Sequence, residues 1–211
     1  MVTTRTPGSR TSKLQRLFEL AATQAGYFTA AQARAVGYSP RSLVHHAAAG
    51  HIDRISRGFY RLAGVPGEKH EDIVAAWLRF DLRQAVVSHD TALALYELAS
   101  SRSHDIHLTL PRDRRPRTSR TVAGVKLHTT MVPLRRDEIS TRFGVRVTSP
   151  ARTIADGADI GIDPSVVIDA TRRALATGLV SAQELKAAVR RRSARVRQLI
   201  ARAIKEASTR A

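Results

Sequence analysis

The sequence predicts an α+β fold: an N-terminal winged helix-turn-helix, then a mixed α/β C-terminal domain that ends in a long basic helix. Two observations lead there. Three helix-start signals and a tight-turned pair of β-type stretches follow one another within residues 12–62, and beyond residue 67 helical and strand-like segments mix. A third observation concerns partners rather than fold. Lys+Arg of 35 against Asp+Glu of 18 gives a formal charge of +17, so the surface attracts polyanions: nucleic acid, anionic lipid or an acidic protein. Arg greatly outnumbers Lys, and Arg makes two-toothed contacts with phosphate and guanine. The alternative reading of part of that excess is genomic base composition, Ala being common too.

Each element has a local cause. Residues 1–10 read as a flexible basic arm. Ser12-Lys-Leu-Gln15 is a capping box opening a helix with apolar residues Leu14, Leu17, Phe18, Ala21, Ala22 and Ala25 at 3–4 spacing, and Gly26 stops it. Thr29-Ala-Ala-Gln32 opens a second, short helix ending at Gly37. Ser39-Pro40 places an N-cap before a proline at the first helical position, and that third helix runs to Gly50. In His51–Leu62, two β-type stretches flank Ser56-Arg57-Gly58, the sequence of a hairpin turn. Three helices and a hairpin make a winged helix over residues 11–64, with Val36-Gly37-Tyr38 as the helix-turn-helix connector.

Gly64-Val-Pro-Gly67 reads as a linker to a second domain over 68–211. There the pattern predicts a helix near 68–80, a short strand at 85–88, a helix at 90–100 and a strand at 105–110. A proline-interrupted basic loop follows at 111–120, then strands at 124–130 and 143–148. Ser149-Pro150, Asp163-Pro164 and the box Ser181-Ala-Gln-Glu184 open further helices, the last a single basic helix over 182–207.

No cysteine is present, which removes disulfides, thiolate metal sites and thiol catalysis. Residues 1–10 lack the apolar segment of a secretory signal, and no apolar run approaches the ~20 residues of a membrane span. The expectation is a cytoplasmic, non-membrane protein.

Candidate DNA contacts follow from a helical wheel of the third helix. Pro40, Leu43, Val44 and Ala47 fall on one side, expected to pack inward; Arg41, Ser42, His45 and Ala49 fall on the other, facing a major groove with the N-terminal end nearest the bases. The DNA-binding set is Ser39, Arg41, Ser42 and His45 on this helix with Arg54 and Arg57 on the wing. Arg41 is the first choice for guanine, and Arg57 sits at the wing tip, where backbone or minor groove is met. Phe59 and Tyr60 have two uses, base stacking or filling the core, and a small domain favours the core for at least one. His46 reads as structural.

Ser88-His89-Asp90 contains an adjacent His-Asp pair, but metal phosphohydrolase sites need further His and Asp at helical spacing. His104 and His107 lie in a segment with no carboxylate pattern. No catalytic residue, metal or cofactor is therefore expected; Ser88 or Asp90 caps a helix and His89 packs locally. Arg152 and Asp156 stand four apart, an intrahelical pair. The last helix carries an apolar stripe of Leu185, Ala188, Val189, Val196, Leu199, Ile200 and Ala203. Arg190, Arg191, Arg195, Arg197 and Arg202 are candidates for phosphate or partner contacts. Arg192 falls inside the stripe and needs an acid, on this chain or a partner. With no Trp or Phe on the stripe, a membrane surface ranks last among its uses.

Gly26-Tyr-Phe-Thr-Ala-Ala-Gln-Ala-Arg-Ala-Val-Gly37 and Gly50-His-Ile-Asp-Arg-Ile-Ser-Arg-Gly-Phe-Tyr-Arg61 resemble the winged helix of AbiEi-type antitoxins. Val87–Leu98 and Val147-Thr-Ser-Pro-Ala-Arg-Thr-Ile-Ala-Asp156 resemble the same family's C-terminal domain. The resemblance implies a repressor of its own operon that binds double-stranded promoter DNA, with a nucleotidyltransferase-like toxin as protein partner. On that reading the chain is a binding protein and not an enzyme. The alternatives are a winged-helix regulator with a ligand- or partner-sensing C-terminal domain, and a nucleic-acid-processing enzyme. The second is disfavoured because residues 65–211 lack the clustered carboxylates of two-metal nucleases. Oligomeric state is left open.

Overall fold

The computed structural model describes residues 12–80, 84–100, 104–114 and 123–209. The expected basic arm at 1–10 and most of the basic loop at 111–120 lie outside them. The chain divides into two compact units, Met1–Arg79 and Phe80–Ala211.

The first unit runs α1 (Lys13–Ala22), β1 (Tyr27–Thr29), α2 (Ala30–Ala35), α3 (Pro40–Ala48), β2 (Ile52–Ser56), β3 (Phe59–Leu62) and α4 (Glu71–Leu78). The expected caps are present. The side chains of Ser12, Thr29 and Ser39 each accept from the backbone N–H three residues on, and at Thr29 and Ser39 the box closes reciprocally. Gly37, at φ +98, makes the turn between α2 and α3, a conformation that costs a residue with a Cβ. The sheet has the order β1-β3-β2, antiparallel throughout. Leu17, Ala21, Phe28, Ala33, Tyr38, Leu43, Ile52, Tyr60 and Leu62 form its core.

Two features depart from expectation. β1 was not foreseen: Tyr-Phe-Thr is too short for periodicity, and its register against β3 supplies what local sequence cannot show. The other is the boundary. α4, expected beyond a linker at 64–67, belongs with the first unit, where it packs near β1 and where Arg61 pairs with Glu71 at 3.1 Å. α4 is apolar on most of its surface, with Ile73, Val74, Ala76, Trp77 and Leu78 all buried, so it covers the sheet instead of opening a new domain.

The second unit runs β4 (Val86–Val87), α5 (His89–Leu95), β5 (Ile106–Pro111), β6 (Val125–Thr130), β7 (Ile139–Arg142), β8 (Val145–Thr148), α6 (Pro150–Asp159), α7 (Pro164–Ala176), α8 (Ala182–Val189) and α9 (Ala194–Thr209), with 3-10 turns at Arg112–Arg114 and Arg136–Glu138. Its sheet is mixed, in the order β6-β5-β4-β8-β7, with β5–β6 and β4–β8 parallel. The strand expected from residue 143 begins two residues later. Phe143 and Gly144 both have positive φ and form the two-residue turn of the β7–β8 hairpin.

The single C-terminal helix expected over 182–207 is two helices. Arg190–Ser193 breaks it, and Ser193 begins α9 by accepting at its side chain from Val196 N (3.4 Å) and at its carbonyl from Arg197 N (3.1 Å). The apolar stripe survives the break: Leu185 and Val189 on α8 and Val196, Ile200 and Ala203 on α9 are all buried. A stripe read along one continuous helix does not reveal the turn, because both halves bury the same kind of face.

Candidate nucleic-acid interface and the buried polar clusters

α3 is held by one row of contacts. Leu43 is buried and Ala47 packs against the core, two positions nearly superposed on a helix of 3.6 residues per turn. Val44, one residue on, is rotated by about 100° from that row. It is 62% exposed, and Pro40 is exposed as well. This corrects the inward placement of both. The outward face of α3 is Arg41, Val44, His45 and Ala48, all exposed.

Ser39 and Ser42 hold the helix start. Ser39 Oγ accepts from Ser42 N (3.0 Å), while Ser42 Oγ accepts from Ser39 N (2.9 Å) and faces Ser39 O at 2.9 Å. Removing this reciprocal cap by Ser39→Ala is expected to lower stability by about 1 kcal/mol in a denaturant titration. A neutral result would mean the cap carries no weight. His46 lies edge-on to the Tyr38 ring at 5.5 Å, with its Nδ1 3.3 Å from His51 Nδ1, in keeping with a structural role.

On the wing, Arg54, Ile55 and Arg57 are exposed. The register slips between Arg54 and Ser56, and Gly58 (φ +75) completes the turn beside Arg57. Its carbonyl accepts from Ala30 N at 2.9 Å, tying the wing turn to the start of α2. Phe59 and Tyr60 are both buried, Phe59 stacked on Tyr27 (5.4 Å) and Tyr60 on Phe28 (5.7 Å). Neither face is open to a base.

Of the five C-terminal arginines, three have local partners. Arg195 donates to the carbonyls of Ala158 (3.0 Å) and Asp159 (3.1 Å) at the end of α6, Arg197 to that of Arg192 (2.6 Å), and Arg202 to Glu206 (2.7 Å). Arg190 and Arg191 are exposed on the α8–α9 turn.

Arg192 finds its acid within the chain, pairing with Asp156 and with Asp159 (2.6 Å). Asp156 also takes Arg152 Nε on both its oxygens at 2.8 Å, and Arg152 reaches Glu138 at 2.9 Å. The expected Arg152–Asp156 pair is thus the centre of a five-residue network.

A second cluster gathers His89, His107 and His128. His128 was not singled out in the sequence because the three lie on separate elements. In the parallel β5–β6 pair Thr109 stands opposite His128, so His107 and His128 are diagonal neighbours on one face. His89 opens α5 in the left-handed region (φ +53). Ser88, one of the two caps expected, occupies the N-cap position without a side-chain cap hydrogen bond. Its Oγ lies 2.9 Å from His89 Nδ1 and accepts from Thr109 Oγ1 at 2.8 Å. The His89 and His128 rings stack at 3.7 Å, and His128 Nε2 is 3.4 Å from His107 Nδ1.

Burial, followed by the neighbouring imidazoles and basic side chains, pushes His89 down to about 3. Burial, His107 and Lys126 push His128 to about 4, and burial lowers His107 as well. In the unfolded chain such groups titrate near 6.5, so the folded state binds fewer protons between the two values. The stability this contributes is fully present above pH ~6.5 and is lost as pH falls toward about 3. In the presence of a chelator, the melting temperature is expected to drop on the order of 10 °C between pH ~7.5 and ~4.5. His128→Gln should flatten that slope. Parallel pH profiles for the two proteins would remove the histidines as the cause.

Among the described residues no helix is long and apolar enough to cross a membrane. No curated protein matches the chain. A solved structure, that of the RV2827C protein from Mycobacterium tuberculosis, is similar at a TM-score of 0.60 and 13% identity, over 92% of this chain and 77% of that one. At that identity the likeness concerns the fold. Residues 15–63 match the family model described as "Transcriptional regulator, AbiEi antitoxin". That span runs from α1 through β3 and takes in α3 and the wing. Over that span the N-terminal unit is similar to the AbiEi antitoxin family of transcriptional regulators.

Proposed function

We propose that the chain binds operator DNA through α3 and the wing, represses its own operon, and serves as the antitoxin of a toxin–antitoxin pair whose toxin is nucleotidyltransferase-like. The observation that carries the DNA reading is the outward face of α3. A helix secured by its own capping box and one inward row presents Arg41, Val44, His45 and Ala48 to solvent. Such a face suits a major groove: Arg for guanine O6 and N7, His for a base or phosphate, and the methyls of Val44 and Ala48 for the thymine methyl. Arg54 and Arg57 then anchor the wing on the backbone or in the minor groove. Ser39 and Ser42 lie in the first turn with their hydroxyls engaged in the capping box, which makes them the weaker candidates for a base or phosphate.

Arg190 and Arg191 are the arginines of the C-terminal stretch left for phosphate or partner contacts, since Arg195 and Arg197 are engaged by backbone carbonyls and Arg202 pairs with Glu206. The pairing with a toxin, and the absence of enzymatic activity, rest on the family match to a regulator and antitoxin family.

The test is a gel shift of the full chain on its own upstream region and on random duplex of equal length at fixed salt. Specific retention that weakens steeply with salt is expected, because counterion release drives much of such binding. Equal retention of both duplexes overturns the operator reading. Co-expression with the product of the adjacent gene tests the antitoxin reading; growth no better than with the toxin alone overturns it.

A further inference from the structure

We propose that His89, His107 and His128 bind one divalent transition-metal ion inside the C-terminal unit, an ion of the zinc, cobalt or nickel kind. The site is independent of the DNA-binding reading. Each histidine offers one nitrogen, and the three nitrogens lie within 4.8 Å of one another. An ion held tetrahedrally by imidazoles at 2.0–2.1 Å separates its ligand nitrogens by about 3.3 Å. His128 Nε2 and His107 Nδ1 already stand 3.4 Å apart; the His89 ring, stacked on His128 at 3.7 Å with its nitrogen within 4.8 Å of theirs, must rotate out of the stack and move by on the order of 1.5 Å to complete three ligands.

The surroundings are those of a ligand set and not of a core. His89 and His107 are buried, where Val or Leu would pack without a polar penalty. His107 Nε2 is buried with no hydrogen-bond partner, so the protein's own groups do not satisfy this ring. The contact of Ser88 Oγ with His89 Nδ1 fixes the ring and leaves Nε2 for an ion, and Thr109 in turn holds Ser88. This is the outer-shell arrangement that orients imidazole ligands. His89 is also held at φ +53, a conformation costing a residue with a Cβ on the order of 1 kcal/mol or more. Strain of that kind persists where the position of the side chain matters.

The chemistry selects the ion. Three neutral imidazoles, with no thiolate, suit zinc, cobalt, nickel or copper and are poor ligands for magnesium or calcium. Charges act on the rings from both sides: Lys126, Arg152 and Arg192 disfavour added positive charge, while Asp90, Asp105 and Asp156 favour it. Three protein ligands leave a fourth position for water or an exogenous group.

The experiment uses the full chain, stripped with chelator, loaded with zinc or cobalt at neutral pH, desalted and analysed for metal. About one ion per chain is expected, and the cobalt form should show the visible bands of a tetrahedral nitrogen site. His128→Gln, at a half-buried position, should weaken affinity by at least about tenfold with an unchanged circular dichroism spectrum. His46→Gln with His51→Gln removes a close imidazole pair in the N-terminal unit and should leave binding unchanged. Three results overturn the proposal: no stoichiometric ion on the folded wild type, equal affinity in His128→Gln, or loss of the ion in the His46/His51 variant.

Discussion

Arg41→Ala is expected to cost binding to the operator about 1–3 kcal/mol, roughly 5- to 150-fold, with little change on random duplex. Arg41 is the second residue of α3, and that first turn contains no acid. A cation there faces the positive end of the helix dipole, an arrangement that costs a few tenths of a kcal/mol. Local stability would place Asp or Glu at this position, so the Arg answers to something outside the fold. The substitution should therefore leave the melting temperature unchanged or slightly raised while specific binding falls. Arg57→Ala, at the wing tip, should instead weaken specific and random duplex alike and reduce the salt slope by about 0.9 for the lost phosphate contact. Gel shifts and melts of both variants separate the effects. If Arg41→Ala binds the operator as the wild type does, α3 is not the reading helix.

What the sequence revealed depends on how local each cause was. The caps at Ser12, Thr29, Ser39 and Ser181 involve residues three apart, and all four are present; of the three boxes expected, those at Thr29 and Ser181 close, whereas at Ser12 only the serine side forms and Gln15 turns to Glu19. The turn glycines Gly37 and Gly58 were legible for the same reason: both have positive φ. Partners set by tertiary pairing were not. β1 exists because Tyr27–Thr29 finds β3, thirty-odd residues on. α4 belongs to the first unit because its apolar surface meets the sheet, whereas Gly64–Gly67 looked like a boundary on composition alone. Val44 shows the limit of a wheel: the wheel gives angles, but one row of contact, at Leu43 and Ala47, decides how wide the buried stripe is. The histidine cluster is the extreme case. His89, His107 and His128 come from a helix start and two parallel strands, and no spacing along the chain encodes their meeting. Arg192 was more tractable, because a charge inside an apolar stripe requires a partner, though not a named one.

Asp156→Ala is expected to destabilise the C-terminal unit by about 3–5 kcal/mol, lowering its melting temperature on the order of 10 °C. The side chain of Asp156 is 5% exposed and answers two guanidinium groups at once, Arg152 and Arg192, themselves 17% and 19% exposed. Taking the carboxylate away leaves both cations in a poorly solvated site, and the uncompensated burial is what makes such a deletion costly. Their remaining partners compensate poorly: Glu138 for Arg152 and Asp159 for Arg192, the latter 43% exposed and closer to solvent. The network joins α6, the turn between α8 and α9, and the 3-10 turn ending at Glu138, so its loss loosens three segments together. Asp159→Ala should cost no more than about 1 kcal/mol, as expected for a partly solvated pair. Arg192→Met should fall between the two, because Asp156 keeps Arg152 Nε on both its oxygens and the methionine fills the apolar stripe between Val189 and Val196. Guanidinium titrations of the three variants rank these effects. Equal losses for Asp156→Ala and Asp159→Ala would mean that the carboxylate at 156 acts as one surface charge among others, and that the segments are held by their apolar contacts alone.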